Sequence, residues 1–204
     1  TDDTDTSNAN ATLDVDSINA ASIVVTGSTA DTGNTISLGT LDTDTTSVTA
    51  SGYGGVLTAT AGTAIATTFD LKGDRAHNIT GSSKNDTITM GATTTAAPTF
   101  NGNGGTDVLN ITLDGGTTNF DNVSDIDTIN IAVTTSAAIT LNAQSTDADG
   151  LNAATAINVT GGNSLSSFSA SGANSALLTD ANSSVWDFSG YNGAISDLTW
   201  AIDD

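Results

Sequence analysis

The chain has 204 residues, no cysteine, and 3 Lys and Arg against 23 acidic residues, a formal net charge of -20. That balance excludes a nucleic-acid binder, which needs a basic footprint, and the missing cysteines exclude disulfides as a source of stability. Every acidic residue is Asp, a turn former, and the absence of the helix former Glu argues against helices.

The chain is 37% apolar and regularly patterned, which excludes simple disorder. No apolar run approaches the roughly 20 residues that cross a membrane. A start at Thr1, without Met or signal peptide, is expected of a mature or excised piece of a longer protein.

In chain order, period-two runs rich in Thr, Val and Ile predict strands at 22–26, 34–38, 55–59, 67–71, 86–90, 108–113, 128–133, 138–141 and 156–160. Several close on a small polar residue and glycine, as at Ile79-Thr-Gly81 and Val159-Thr-Gly161. Spacing of about 10 to 12 residues suits sandwiches, barrels and solenoids alike.

A longer repeat separates these possibilities. Asp86-Thr-Ile-Thr-Met90, Asp107-Val-Leu-Asn-Ile111, Asp127-Thr-Ile-Asn-Ile131 and Asp149-Gly-Leu-Asn-Ala153 share one pattern at a period of about 20 residues. Coils of that length form a parallel β-solenoid. Ile88, Leu109, Ile129 and Leu151 would then make an inward ladder. The aspartates would make an outer row about 4.8 Å apart, whose mutual repulsion calls for a cation.

The expected fold is therefore all-β, a parallel β-solenoid or β-roll-like stack of coils of about 20 residues. Four aromatics near the end of the chain, Trp186, Phe188, Tyr191 and Trp200, are expected to form a C-terminal cap over the open core. The expected division is an N-terminal Thr/Gly-rich β region at 1–75, a repeat solenoid at 76–160 and a β cap at 161–204, or one continuous domain.

The stretch from Gly102 to Asn110, Gly-Asn-Gly-Gly-Thr-Asp-Val-Leu-Asn, resembles the glycine-rich nonapeptide of calcium-binding RTX proteins. Asn103 stands where that family prefers Gly. Gly81 to Thr89 is a degenerate second copy, with Lys84 in a glycine position. Among Thr/Ala/Gly-rich β segments, such repeats resemble bacterial surface-layer proteins.

The resemblance implies an extracellular protein of the bacterial cell surface that assembles with itself, with cell-surface polysaccharide as a further partner. It also implies calcium held by the Asp107 carboxylate and the backbone of Gly102, Asn103, Gly104 and Gly105. Asn85 and Asp86 or Asp127 would contribute from a neighbouring coil. Calcium takes six to eight hard oxygen ligands, and carbonyls serve as well as carboxylates. An RTX-type adhesin or binding domain that forms no lattice is the alternative reading.

Asp-x-Asp pairs occur at Asp3/Asp5, Asp14/Asp16, Asp42/Asp44, Asp125/Asp127 and Asp147/Asp149. In extended chain each pair offers two carboxylates to one side. An EF-hand at Asp147 is excluded by the missing remainder of its loop.

The only histidine, His77, reads as a surface-turn residue. No nucleophile elbow, phosphate loop or His pair accompanies it, so an enzyme is not expected, although paired aspartates on a β-helix can cleave glycosidic bonds. Lys72, Arg75 and Lys84 are the only cations and lie close together. They read either as a local offset to charge or as a knob that meets the acidic edge of another subunit.

Overall fold

The computed structural model describes residues 12–15, 18–28, 32–120, 122–134, 139–142, 154, 156–161, 168–174, 185–191 and 198–203. The strands are β1 (Thr12–Asp14), β2 (Ser22–Val24), β3 (Thr35–Thr40), β4 (Ser47–Ala50), β5 (Val56–Thr60), β6 (Thr68–Leu71), β7 (Asn78–Thr80), β8 (Thr87–Ala96) and β9 (Thr99–Asn101). They continue with β10 (Val108–Asn119), β11 (Val123–Ser124), β12 (Thr128–Val133), β13 (Ile139–Asn142), β14 (Ala156–Gly161), β15 (Phe168–Asn174), β16 (Val185–Tyr191) and β17 (Leu198–Asp203).

Every pairing is parallel and joins strands of successive coils. One sheet runs β1-β3-β5-β7-β9-β11, and the other runs β2-β4-β6-β8-β10-β12-β14-β16. This is a parallel β-solenoid.

The long strand β10 serves two faces. Its first half pairs with β12, and Gly116–Asn119 pairs with β13, which begins a further ladder through β15 to β17. Gly115 and Gly116 make the corner, with φ of 105° and 74°, a backbone region in which side chains with a Cβ are strained.

The core is the inward half of the period-two pattern. Phe69, Ile88, Leu109, Ile129 and Ile157 occupy one register position and are all buried. Ile88, Leu109 and Ile129 thus form the expected ladder. Leu151 lies outside the described residues, and the residue paired with Ile129 is Ile157. The coil accordingly lengthens from 20 residues between Asn110 and Asn130 to 28 between Asn130 and Asn158. Strand pairing sets the register, and corners absorb insertions.

On the outer face the same strands carry small polar residues. Thr89, Asn110, Asn130 and Asn158 stack in register. The amide of Asn130 donates to Asn110 Oδ1 at 2.8 Å and that of Asn158 to Asn130 Oδ1 at 2.7 Å. An asparagine ladder thus binds successive coils through their side chains.

The expected C-terminal aromatic cap is not formed. Trp186, Phe188 and Tyr191 lie along β16, Trp200 lies on β17, and the two strands end different ladders, on β14 and β15 respectively. Among the described residues there is no aromatic cluster. Aromatic residues favour strands, and their density here marks two more rungs of the solenoid.

Candidate functional site

The aspartates that precede the strands of the longer sheet form a chain of hydrogen bonds between coils. Asp86 Oδ1 accepts the Thr67 N–H at 2.5 Å, Asp107 Oδ1 accepts the Asp86 N–H at 2.7 Å, and Asp127 Oδ2 accepts the Asp107 N–H at 2.7 Å. Each carboxylate satisfies a backbone donor at the strand entrance of the preceding coil. Buried N–H groups need such partners, and a charged acceptor makes the stronger bond.

The row is not the outer, solvent-facing one expected from the repeat. Asp86 and Asp107 are only 2% and 1% exposed. The backbone donors draw the carboxylates inward.

Asp86 and Asp107 differ in their second oxygen. Asp86 Oδ2 accepts the Ser82 N–H at 2.5 Å. The corresponding donor near Asp107, the Asn103 N–H, turns instead to Asn101 Oδ1 at 2.7 Å. Asp107 Oδ2 is left buried without a hydrogen-bond partner. Burial, with the nearby charges of Asp86, Asp127 and Asp125, pushes the Asp107 carboxyl up from 3.8 to about 6, against the stabilising hydrogen bond from Asp86.

The glycine-rich turn explains the difference. Asn103, Gly104 and Gly105 have φ of 64°, 100° and 120°, a consecutive left-handed run that only glycine and asparagine adopt readily. Gly102 lies so close to the Asp125 carbonyl and the Asp107 carboxylate that a Cβ there would collide with both. The glycines answer to backbone crowding as well as to turn geometry.

The other candidates spread out. Asn85 is exposed, and its Oδ1 accepts the Thr106 N–H at 3.0 Å. Asp125 is an exposed residue with φ of 51°, and Asp42 Oδ1 accepts the Asp44 N–H in a turn. Neither Asp-x-Asp pair is therefore in the extended chain that would align its carboxylates. Asp147 and Asp149 lie outside the described residues, as do Asp3, Asp5 and Asp16.

Among the described residues, no group of three or more His, Cys, Asp or Glu side chains is placed to hold a metal ion. The row as a whole, occupied by N–H donors, does not fit a line of cations. At Asp107 alone an open buried oxygen, with acidic neighbours and a close backbone carbonyl, fits a single hard cation.

His77 is buried, not a surface-turn residue. Its Nδ1 accepts the Leu57 N–H at 3.0 Å, and its Nε2 lies 2.8 Å from the Lys72 carbonyl. A carbonyl only accepts, so Nε2 carries the proton and the ring is neutral. Burial is the main cause that lowers its pKa, with Arg75 adding repulsion against the hydrogen bond to Lys72. A lone turn histidine carries no periodicity, so the sequence held no sign of this role.

Arg75 also faces its neighbours. Its Nε donates to the Gly54 carbonyl and its guanidinium to the Asp74 carbonyl at 2.6 Å. Lys72 is half-buried and Lys84 is exposed.

No family model, no curated protein and no solved structure matches the chain. What stands is the architecture, a parallel β-solenoid consistent in general with RTX-like and other solenoid proteins. No helix among the described residues is long and apolar enough to cross a membrane.

Proposed function

We propose that this solenoid is a structural element of the bacterial cell surface, extracellular and without catalytic activity, that associates with itself and is stabilised by calcium. The observation that carries the structural reading is where the chemically capable side chains point. His77, Asp86 and Arg75 bond the backbone of neighbouring coils, and both ring nitrogens of the single histidine are engaged. These groups hold the stack together.

Calcium is assigned to one place, Asp107 Oδ2, with the Asp125 carbonyl, which lies with that carboxylate against Gly102, as the available further donor. The ion would neutralise a buried carboxylate whose Oδ2 has no hydrogen-bond partner. An adhesin-type display domain that forms no lattice shares the architecture and separates from this reading by remaining monomeric.

Thermal melting of the purified chain in chelator and in millimolar calcium tests the proposal, alongside Asp107→Asn. Calcium should raise the melting temperature of the parent chain and leave that of the variant unchanged. Equal melting of the parent chain in both buffers would remove calcium from the reading. Sedimentation of the same samples decides between self-association and a monomeric display domain.

A further inference from the structure

The chain around the end of β9 holds two Asn-Gly dipeptides, Asn101-Gly102 and Asn103-Gly104. An asparagine followed by glycine can react with its own backbone, because the glycine has no side chain to shield its nitrogen or to hinder rotation. The reaction needs that nitrogen free of other bonds and able to swing against the asparagine Cγ.

The fold separates the two dipeptides. The Gly102 N–H donates to the Ser124 carbonyl at 3.0 Å, and Gly102 is buried against the Asp125 carbonyl and the Asp107 carboxylate. Asn101 is half-buried at the end of β9, and its Oδ1 accepts the Asn103 N–H at 2.7 Å. The nitrogen that would attack Asn101 is thus tied to the next coil.

Gly104 is the reverse case. It is exposed, and no atom lies within 4 Å of where a Cβ would stand. Among the described residues its N–H makes no hydrogen bond. Asn103 is exposed as well, and its side-chain amide makes one long bond, 3.3 Å, to the Gly81 carbonyl. The related Asp114-Gly115 lies within β10, with Gly115 buried.

We propose that Asn103-Gly104 is a self-modifying site, at which Asn103 converts to aspartate and isoaspartate without an enzyme. The Gly104 nitrogen gives up its proton to solvent base and attacks Asn103 Cγ. The new C–N bond closes a succinimide ring, and the side-chain nitrogen takes up a proton and leaves as ammonia. Water then opens the ring at either carbonyl. The sum is one water consumed and one ammonia released, with no change of oxidation state.

The product has a carboxylate where Asn103 Nδ2 now donates to the Gly81 carbonyl of the preceding coil. An ionised carboxylate only accepts, so this bond between coils is lost and two acceptors face each other. A divalent cation between them restores the attraction, since both are hard oxygen ligands. Ageing of the turn therefore makes the stack more dependent on calcium, a consequence that rests on the calcium reading above, whereas the conversion itself does not.

Incubation of the folded chain in mildly alkaline buffer with chelator, followed by peptic digestion and mass spectrometry, tests the site. Asn103 should convert faster than Asn101 by about tenfold or more, a barrier difference of at least about 1.4 kcal/mol. In urea, which releases Gly102 from the ladder, the two should convert at similar rates. Gly104→Ala should slow Asn103 in buffer and in urea alike, and the urea arm does not depend on how that variant folds. Equal rates at the two asparagines in the folded chain, or no conversion at Asn103, would overturn the proposal. Asn103→Asp, which stands for the aspartate product, should melt below the parent chain in chelator and gain more than the parent from millimolar calcium. A gain no larger than the parent's would overturn the calcium dependence and leave the conversion standing. A parent chain with no calcium gain would overturn the calcium assigned to Asp107, whatever the conversion rates.

Discussion

Protonation of His77 would place an N–H on Nδ1 against the Leu57 N–H that it now accepts, inside a buried corner beside Arg75. Burial, with repulsion from Arg75 added, lowers the folded-state pKa below the ordinary 6.5. The unfolded chain binds the proton first as pH falls, so this contribution is complete above about 6.5 and is lost as pH drops below it. Asp107 has the opposite sign. Its carboxyl is raised from 3.8 to about 6 in the folded chain, so folding gains as pH falls through 6 toward 3.8 and loses as pH rises through that window. The two effects overlap and mask each other in the parent chain. Urea unfolding of Asp107→Asn in chelator between pH 8 and pH 4 should expose the His77 limb, a falling midpoint below about pH 6.5. His77→Ala should lack that limb and lose about 1–3 kcal/mol at pH 8, because the Leu57 N–H is left buried without an acceptor. An acid limb that survives His77→Ala would show that another group carries it.

At the level of elements, the asparagine ladder gives a second test. Asn130 donates one hydrogen bond to Asn110 and accepts one from Asn158. Asn130→Ala should cost about 1–3 kcal/mol in urea unfolding, two bonds at roughly 0.5–1.5 each. Asn130→Asp keeps the acceptor and loses the donor, so its deficit should shrink when the carboxylate is protonated below about pH 4.

The same strands show what the sequence could reveal. Those of the longer sheet have 4 to 12 residues over β4 to β14, enough for alternation to mark them and to assign Ile88, Leu109 and Ile129 to the core. Strands β7, β9 and β11 have 3, 3 and 2 residues. No period can be read in so few, and only pairing with neighbouring coils defines them. The Asp-x-Ile/Leu repeat located the row at Asp86, Asp107 and Asp127. It did not reveal that the carboxylates turn to backbone N–H groups, since that depends on which donors the neighbouring coil leaves unpaired. The aromatic residues were legible as strand formers and were misread as a cap, because composition alone does not separate a last rung from a lid.

At the scale of the whole molecule, the net charge of -20 works against a compact stack, because successive coils bring aspartates close together and the three cations are confined to Lys72–Lys84. Sodium chloride relieves this by screening beyond about 8 Å at physiological ionic strength, so the melting temperature should rise with salt and then level off. Screening does not reach Asp107 Oδ2, which is buried and within a coil spacing of its acidic neighbours. A bound ion acts there by mass action. At a hundred times the dissociation constant it adds about 2.7 kcal/mol, which for a chain of this length is about 5–10 °C. With a dissociation constant of about 10⁻⁴ M, in the range of extracellular calcium sites, roughly 10 mM calcium reaches that ratio. The expected result is a calcium increment of this size on top of the salt plateau. Magnesium should not match it, because it demands near-octahedral geometry and gives up its waters reluctantly. Differential scanning calorimetry in about 0.5 M sodium chloride, with calcium, magnesium or chelator added, measures the increment directly. Equal increments from magnesium and calcium would reduce the effect to general neutralisation of carboxylates, and no increment from either would leave the Asp107 oxygen to be satisfied by a proton.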